Sequence, residues 1–360
     1  MPSGVVAIAG PRQVILETHF SFRDGETTPA RTADSHALTR RTDRDFGHHR
    51  PLMQSAHVTS GPVNSDAETL HPAVTALRIS HFAFRISHFD VGLHKVITIS
   101  SARLTDLSDR SVAIAGDWHI NEAWVREIIP RISACDPTIR TILHAGDFGV
   151  WPGAKGESFL SVVDEVCAEF GIDRVLVTPG NHEYWSKLEE RFAERPGEVV
   201  RLSDVVRVMP RGYRFTIGGV RFLSFGGAAS LDRYRRIEGE TWWPGEMPTD
   251  EDVETAIADG ATDVLITHDM VDRAIPALDH RILRYEGWPP DALARSAMSR
   301  NRVTRVWAAV QPRILFHGHM HTAAVSPAAG PRVVSLSRDN SRGNIVILTL
   351  PGLSVEWLPE

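Results

Sequence analysis

A chain of 360 residues, 42% hydrophobic and 23% charged, has the material for a full core in one large domain or two small ones. Its formal net charge of -6 gives no electrostatic case for a nucleic-acid or membrane partner. Two cysteines, Cys135 and Cys167, exclude a zinc ribbon by count and read as buried reduced thiols. With no apolar run of about 18 residues and no basic N-terminal region before one, a cytoplasmic protein is expected.

The chain divides into two unlike parts. All nine tryptophans follow residue 117, whereas nine of the seventeen histidines precede residue 95. Segment 22–66 is polar and shows no sustained period of two or of about 3.6, so it is expected to be disordered. Arg-Ile-Ser-His-Phe at 78–82 recurs at 85–89, a repeat too short for a solenoid. Residues 1–108 are therefore set apart, as a disordered segment or one upstream of the true translation start. Residues 109–360 are expected to form the folded domain.

From residue 111 short β-branched runs end in polar clusters. Ser111–Ala115 runs into Gly-Asp, and so does Thr141–Ala145. Arg174–Thr178 runs into Pro-Gly-Asn-His-Glu, Val264–Thr267 into His-Asp, and Arg313–Phe316 into His-Gly-His-Met-His. Between them lie helical patterns. Trp124, Val125, Ile128, Ile129 and Ile132 share a helical face, with Pro130 expected to kink or end it. Phe159 to Phe170 form a second helix capped by Gly171. Thr249 and Asp252 resemble a capping box before a third, and 291–309 suit a fourth. Val205–Val208, Tyr213–Ile217 and Val220–Phe225 read as hairpin strands joined by Pro-Arg-Gly and Gly-Gly. Further strands are expected at 332–336, 344–349 and 353–357. Together these predict two sheets flanked by helices, an α/β or α+β fold.

Ligands bind outside the carboxyl ends of strands in open α/β sheets. Here five strand ends deliver Asp117 and His119, Asp147, Asn181 and His182, His268, and His319 and His321. Carboxylate, amide and imidazole donors in one place suit Mn, Fe or Zn better than Mg or Ca. One Asp-x-His or His-x-His is weak evidence alone; five clusters, each after a short apolar strand, point to one metal site.

Gly-Asp-Trp-His (116–119), Gly-Asp (146–147), Gly-Asn-His-Glu (180–183), His268 and Gly-His-Met-His (318–321) resemble, in order and spacing, the calcineurin-like metallophosphoesterase superfamily. The resemblance spans roughly residues 111–358. It implies a four-layer αββα sandwich holding two divalent metal ions. Asp147 would bridge the ions. Asp117, His119 and His321 would complete one position, and Asn181, His268 and His319 the other. The implied reaction is hydrolysis of a phosphate mono- or diester of a small substrate by a hydroxide held between the ions, with His182 as general acid. Glu183 follows the motif and could orient the loop. His144 and His317 read as packing or outer hydrogen-bonding residues.

The chain departs from the protein Ser/Thr phosphatase pattern. Its second block reads Gly-Asp-Phe-Gly-Val-Trp-Pro-Gly (146–153), without the Asp-Arg pair that would hold phosphate and orient the acid. Ile120 stands where the first block usually has glycine. These departures disfavour a phosphoprotein phosphatase. Retention of every ligand disfavours a non-catalytic scaffold, and the acidic charge gives no support to a nuclease. Residues 226–247 hold Asp232, Arg233, Arg235, Arg236, Trp242 and Trp243. Arg233 and Arg236 are the candidate substrate contacts beside Asn181, and the tryptophans could stack a base or cover the site.

Overall fold

Alternation of side chains along short strands decides the layering. The computed structural model describes residues 107–279, 287–328 and 332–359, all within the compact unit Val91–Glu360. The expectations for residues 1–106 lie outside the described residues.

Seven strands form one sheet, in the order β13-β12-β1-β2-β3-β5-β4. They are β1 (Ser111–Ala115), β2 (Thr141–His144), β3 (Arg174–Val177), β4 (Val200–Arg201), β5 (Val206–Val208), β12 (Ile345–Thr349) and β13 (Ser354–Trp357). Six form the other, in the order β10-β11-β9-β8-β7-β6. They are β6 (Tyr213–Ile217), β7 (Val220–Phe225), β8 (Val264–Thr267), β9 (Ile314–His317), β10 (Ala324–Val325) and β11 (Arg332–Ser335). Strands β1, β2, β3 and β5 run parallel, as do β7, β8, β9 and β11.

Successive side chains face opposite ways. Val112, Ile114, Leu143 and Leu176 of the first sheet meet Phe222, Val264, Ile266, Ile314 and Phe316 of the second in a buried inner core. Ala113, Ala115, Ile142, Val175 and Val177 face outward onto α1 (Glu122–Cys135) and α2 (Ala154–Phe170). Leu223, Phe225, Leu265 and Leu315 face outward onto α4 (Asp250–Ile257) and α5 (Pro290–Val310). The result is helix, sheet, sheet, helix: the expected αββα sandwich. A further helix, α3 (Trp185–Glu194), follows the Asn181 turn. Among the described residues no helix is long and apolar enough to cross a membrane.

Several local expectations change. Helix α1 continues through Pro130 to Cys135. A proline in a helix interior costs about 3 kcal/mol, but Ile129 and Ile132 are fully buried on that face, and burying such side chains is worth about 1.5–3 kcal/mol each. Val205–Val208 and Tyr213–Ile217 are not a hairpin, because β5 pairs with β3 and β4 whereas β6 pairs with β7 in the other sheet. The Pro-Arg-Gly turn carries the chain between sheets. Only one cysteine is buried: Cys167 lies on the core-facing side of α2, while Cys135, at the end of α1, is exposed. Trp242 and Trp243 are buried, 5% and 2% exposed; Trp243 packs on Trp151 and Tyr184, while Trp242 lines a cavity beside Arg233.

Candidate metal centre

Because β1, β2, β3, β8 and β9 each run parallel within their sheets, the residues that leave their carboxyl ends gather at one edge of the sandwich. The gathering is tight. Hydrogen bonds from Trp118 N and His119 N to Asp147 O, both 2.9 Å, tie the first cluster to the second. His182 N donates to Asp147 Oδ1 at 2.9 Å and His319 N to Asp117 Oδ1 at 3.2 Å. A Cβ at Gly180 would lie 2.3 Å from Asp147 Oδ1, and one at Gly318 2.1 Å from Asp117 Oδ1, so neither position admits a side chain. His119, Asp147, His319 and His321 all take left-handed backbone, with φ of 47°, 52°, 64° and 50°. Such strain in non-glycine residues concentrates at functional sites. Ile120 joins them at φ 59°. It stands where the resemblance has glycine, held there by a bond from its N–H to Phe148 O and by packing on the outer core.

The donors form two groups that share Asp147: Asp117, His119, Asp147 and His321, and Asp147, His268 and His319. Within each group one donor atom per residue lies within 4.8 Å of the others. His321 Nε2 is 3.0 Å from Asp117 Oδ2, His119 Nε2 3.7 Å from Asp147 Oδ2, and His268 Nε2 3.3 Å from Asp147 Oδ1. Asn181 Oδ1 lies 2.9 Å from His268 Nε2 and so joins the second group.

The electrostatics fit cations. Asp117 and Asp147 are 0% and 1% exposed. Burial alone would raise both carboxyls. It is outweighed by the His321 hydrogen bond and the His268 charge at Asp117, and by the His268 charge and the hydrogen bonds of His119 and His268 at Asp147, so both are held below the usual range. Burial likewise opposes charge on His119 and His268, but the carboxylates beside them push each up to about 10. His319 is driven down by burial and keeps Nε2 buried without a partner. Two ionised, buried carboxylates facing inward-aimed imidazoles and one orphaned ring nitrogen suit borderline divalent metals, which would replace the protons now shared there.

Outer residues aim these ligands. His268 Nδ1 donates to Ala145 O at 2.8 Å, leaving Nε2 for the centre. His119 Nδ1 faces Asp339 Oδ1 at 3.0 Å, and Asp339 also receives Asn121 Nδ2 at 2.6 Å. Asn344 donates to Asp117 O and accepts from the indoles of Trp118 and Trp124. Glu183 accepts from Phe148 N and Gly180 N, clamping the Asp147 and Asn181 turns together. Burial, reinforced by the Asp147 charge, pushes its carboxyl up to about 7. Asp339 and Asn344 escaped sequence reading because each lies in a tail turn with no motif. His144 packs edge-on against Trp118 and Phe148, and burial pushes it down to about 3. His317 is likewise buried, and its Nδ1 donates to Gly318 O.

His182 borders the centre, with Nε2 3.8 Å from Asp147 Oδ2. Arg236 Nη2 lies 3.1 Å from the same nitrogen. A guanidinium only donates, so Nε2 accepts and the imidazole is neutral, with its proton on Nδ1. Burial and the Arg236 charge hold its pKa down in the same sense. Arg236 is itself paired with Asp232 at 2.7 Å. Arg233 is not at the metal ligands. Its guanidinium sits 4.4 Å over the Trp242 ring and lines an adjacent cavity of about 200 Å³ with Ser230, Arg236 and Arg295.

The family model described as calcineurin-like phosphoesterase matches residues 110–323. No curated protein sequence matches the chain. Among solved structures, a protein of Thermus thermophilus is 12% identical over 69% of this chain and 98% of that one, with a TM-score of 0.42. A dimetal phosphatase from Danio rerio is 10% identical over 68% and 93%, with a TM-score of 0.39. The phosphopantetheinyl hydrolase of Mycobacterium tuberculosis is 14% identical over 64% and 91%, with a TM-score of 0.37. The family match covers more than half of the chain and spans all five ligand-bearing strand ends, so the chain belongs to the calcineurin-like phosphoesterase family and is a metallophosphoesterase, a hydrolase of phosphate esters.

Proposed function

We propose that this chain hydrolyses a small phosphate mono- or diester at a dinuclear metal centre. The observation that carries the reading is the pair of donor groups sharing Asp147. Asp117, His119 and His321 would hold one ion with Asp147, and Asn181, His268 and His319 the other. Bound there, divalent ions supply Lewis-acid polarisation of a phosphoryl oxygen and a nucleophile at neutral pH. The buried carboxylates and imidazoles exclude water from the rear of the site. The open side carries His182 and Arg236.

Arg236 is placed to donate from Nη2 to a phosphate oxygen in a charge-assisted hydrogen bond. Its bond to Asp232 keeps the guanidinium oriented while the bond to His182 can be exchanged for one to the ester. Once released, His182 Nε2 can take up a proton from solvent and pass it to the leaving oxygen. His182 is the proposed general acid on that account, and Asp232–Arg236 does locally what the absent Asp-Arg pair of the second block does elsewhere. The missing pair, and its replacement from a different loop, favour a small ester over a phosphoprotein.

The test is metal analysis of purified protein with a hydrolysis screen of bis-p-nitrophenyl phosphate, p-nitrophenyl phosphate, cyclic nucleotides and a phosphopeptide. Two ions per chain, activity lost on chelation and restored by Mn²⁺, and turnover of a small ester above the phosphopeptide are expected. Full activity after complete chelation would refute the proposal.

A further inference from the structure

Asn181 can turn either end of its amide toward the donors around Asp147, but only the oxygen can hold a cation. Residues outside the five motif clusters decide which. Glu246, in the 3₁₀ turn Pro244–Glu246, is fully buried. Arg211 Nη2 holds this turn by donating to Gly245 O and Glu246 O, at 2.7 and 3.1 Å. The Glu246 carboxylate accepts twice from Ser230: from the backbone N at 2.9 Å and from Oγ at 2.5 Å. Arg295 Nη2, 3.7 Å from Oε1, supplies a countercharge.

Burial raises the Glu246 carboxyl, opposed by the bonds it accepts from Ser230 and by the Arg295 charge; in its ionised form it has no proton to give. Ser230 Oγ therefore spends its only hydrogen on Glu246 and offers lone pairs to everything else. Asn181 Nδ2, 2.9 Å away, takes one of them. The amide nitrogen is thereby committed to Ser230, and the oxygen faces the other way, 2.9 Å from His268 Nε2. Ser230 is 2% exposed and Asn181 3%, so water does not compete for these bonds.

We propose that Glu246 and Ser230 are positioning residues: they lock the Asn181 amide with its oxygen toward His268 and Asp147 and so set the affinity of the second metal position. This rests on the dinuclear reading above. The direction of the relay follows from donor and acceptor count. In Glu246→Gln the new side chain can donate to Ser230 Oγ, which frees the hydroxyl hydrogen for Asn181 and allows the amide to turn over.

The experiment is calorimetric titration of metal-free protein with Mn²⁺, with thermal unfolding measured alongside. Fewer than two binding steps in the unaltered chain would refute the dinuclear reading itself. Given two steps, Ser230→Ala and Glu246→Gln should each weaken one step by about 10–100-fold, the usual cost of losing an outer residue at a metal site, and leave the other within about twofold. The deciding comparison repeats Ser230→Ala in an Asn181→Asp background. Aspartate presents an oxygen at either end, so it needs no orienting, and Ser230→Ala should there cost less than about twofold. Equal losses in the two backgrounds, or unchanged binding in Ser230→Ala with Asn181 intact, would overturn the proposal. Variants of Glu246 that fail to fold would leave this Ser230 cycle as the decisive measurement.

Discussion

Asp147 has the least freedom of any residue in the site. It is left-handed, almost wholly buried, and faces His119, His182 and His268 at once. A left-handed conformation costs a residue with a Cβ about 1–2 kcal/mol, which the folded state recovers only through the contacts made there. Asp147→Ala should weaken both metal positions by more than the roughly 10–100-fold that an outer residue costs; metal content at limiting Mn²⁺ checks this, and two ions retained would contradict the shared-ligand reading. His182 makes a different prediction. An alkoxide leaving group needs a proton and p-nitrophenolate does not, so His182→Ala should keep its metals and lose about 10²–10⁴-fold in kcat on an alkyl ester, with far less on the p-nitrophenyl ester. Equal losses on both would assign His182, with Arg236, to holding phosphoryl oxygens. The site also predicts a pH dependence for metal-free protein. His119 and His268 rise from 6.5 to about 10 on folding, so the stability they contribute is complete below about pH 6.5 and is lost as pH climbs through about 10. Melting temperature in chelator should fall over that window, and metal loading should remove the fall, because the cations then supply the charge that the protons supplied.

Elements explain why that constellation holds its shape. Each ligand leaves the end of a strand only four or five residues long whose inward and outward faces are both buried, so the strand cannot slip without moving apolar side chains to the wrong layer. Helix starts add smaller terms. Asn121 caps α1 by accepting from Trp124 N at 3.0 Å while its amide reaches Asp339, joining a helix end to a ligand's support. Thr249 and Asp252 form a reciprocal capping box at α4. Thr249→Ala should cost about 0.5–2 kcal/mol of stability and leave metal content unchanged, since α4 touches the outer core and not the centre; urea unfolding with metal analysis checks both. The continuation of α1 through Pro130 shows propensity losing to burial: the apolar stripe extends past the proline to Ile132, and its packing against β1 and β2 outweighs one missing backbone bond.

At the scale of the molecule the two sheets meet through one inner core, and residue 107 already belongs to it. Leu107 N donates to Thr216 O at 3.1 Å, Gly218 N donates to Leu107 O at 2.6 Å, and the Leu107 side chain packs on the inner core. A chain beginning at residue 105 should therefore fold, bind metal and hydrolyse the same esters as the whole; insoluble or inactive protein would show that earlier residues are required. Much of this molecule was legible from residue order alone. The strand ends that carry the donor residues, the Gly171 cap and the capping box could be read, because strand periodicity, turn chemistry and donor type are local properties. What lay beyond local reading was which sheet a strand joins. Val206–Val208 and Tyr213–Ile217 look like hairpin partners in sequence, yet they part because the faces they must bury belong to different sheets. The supports of the site were hidden for the same reason. Asp339 and Asn344 reach His119 and Asp117 across more than two hundred residues, and Glu246 reaches Asn181 only through Ser230. Donor identity is written in the sequence, but the direction in which a buried amide or imidazole points is decided by hydrogen-bond partners that only the packed tertiary structure brings within reach.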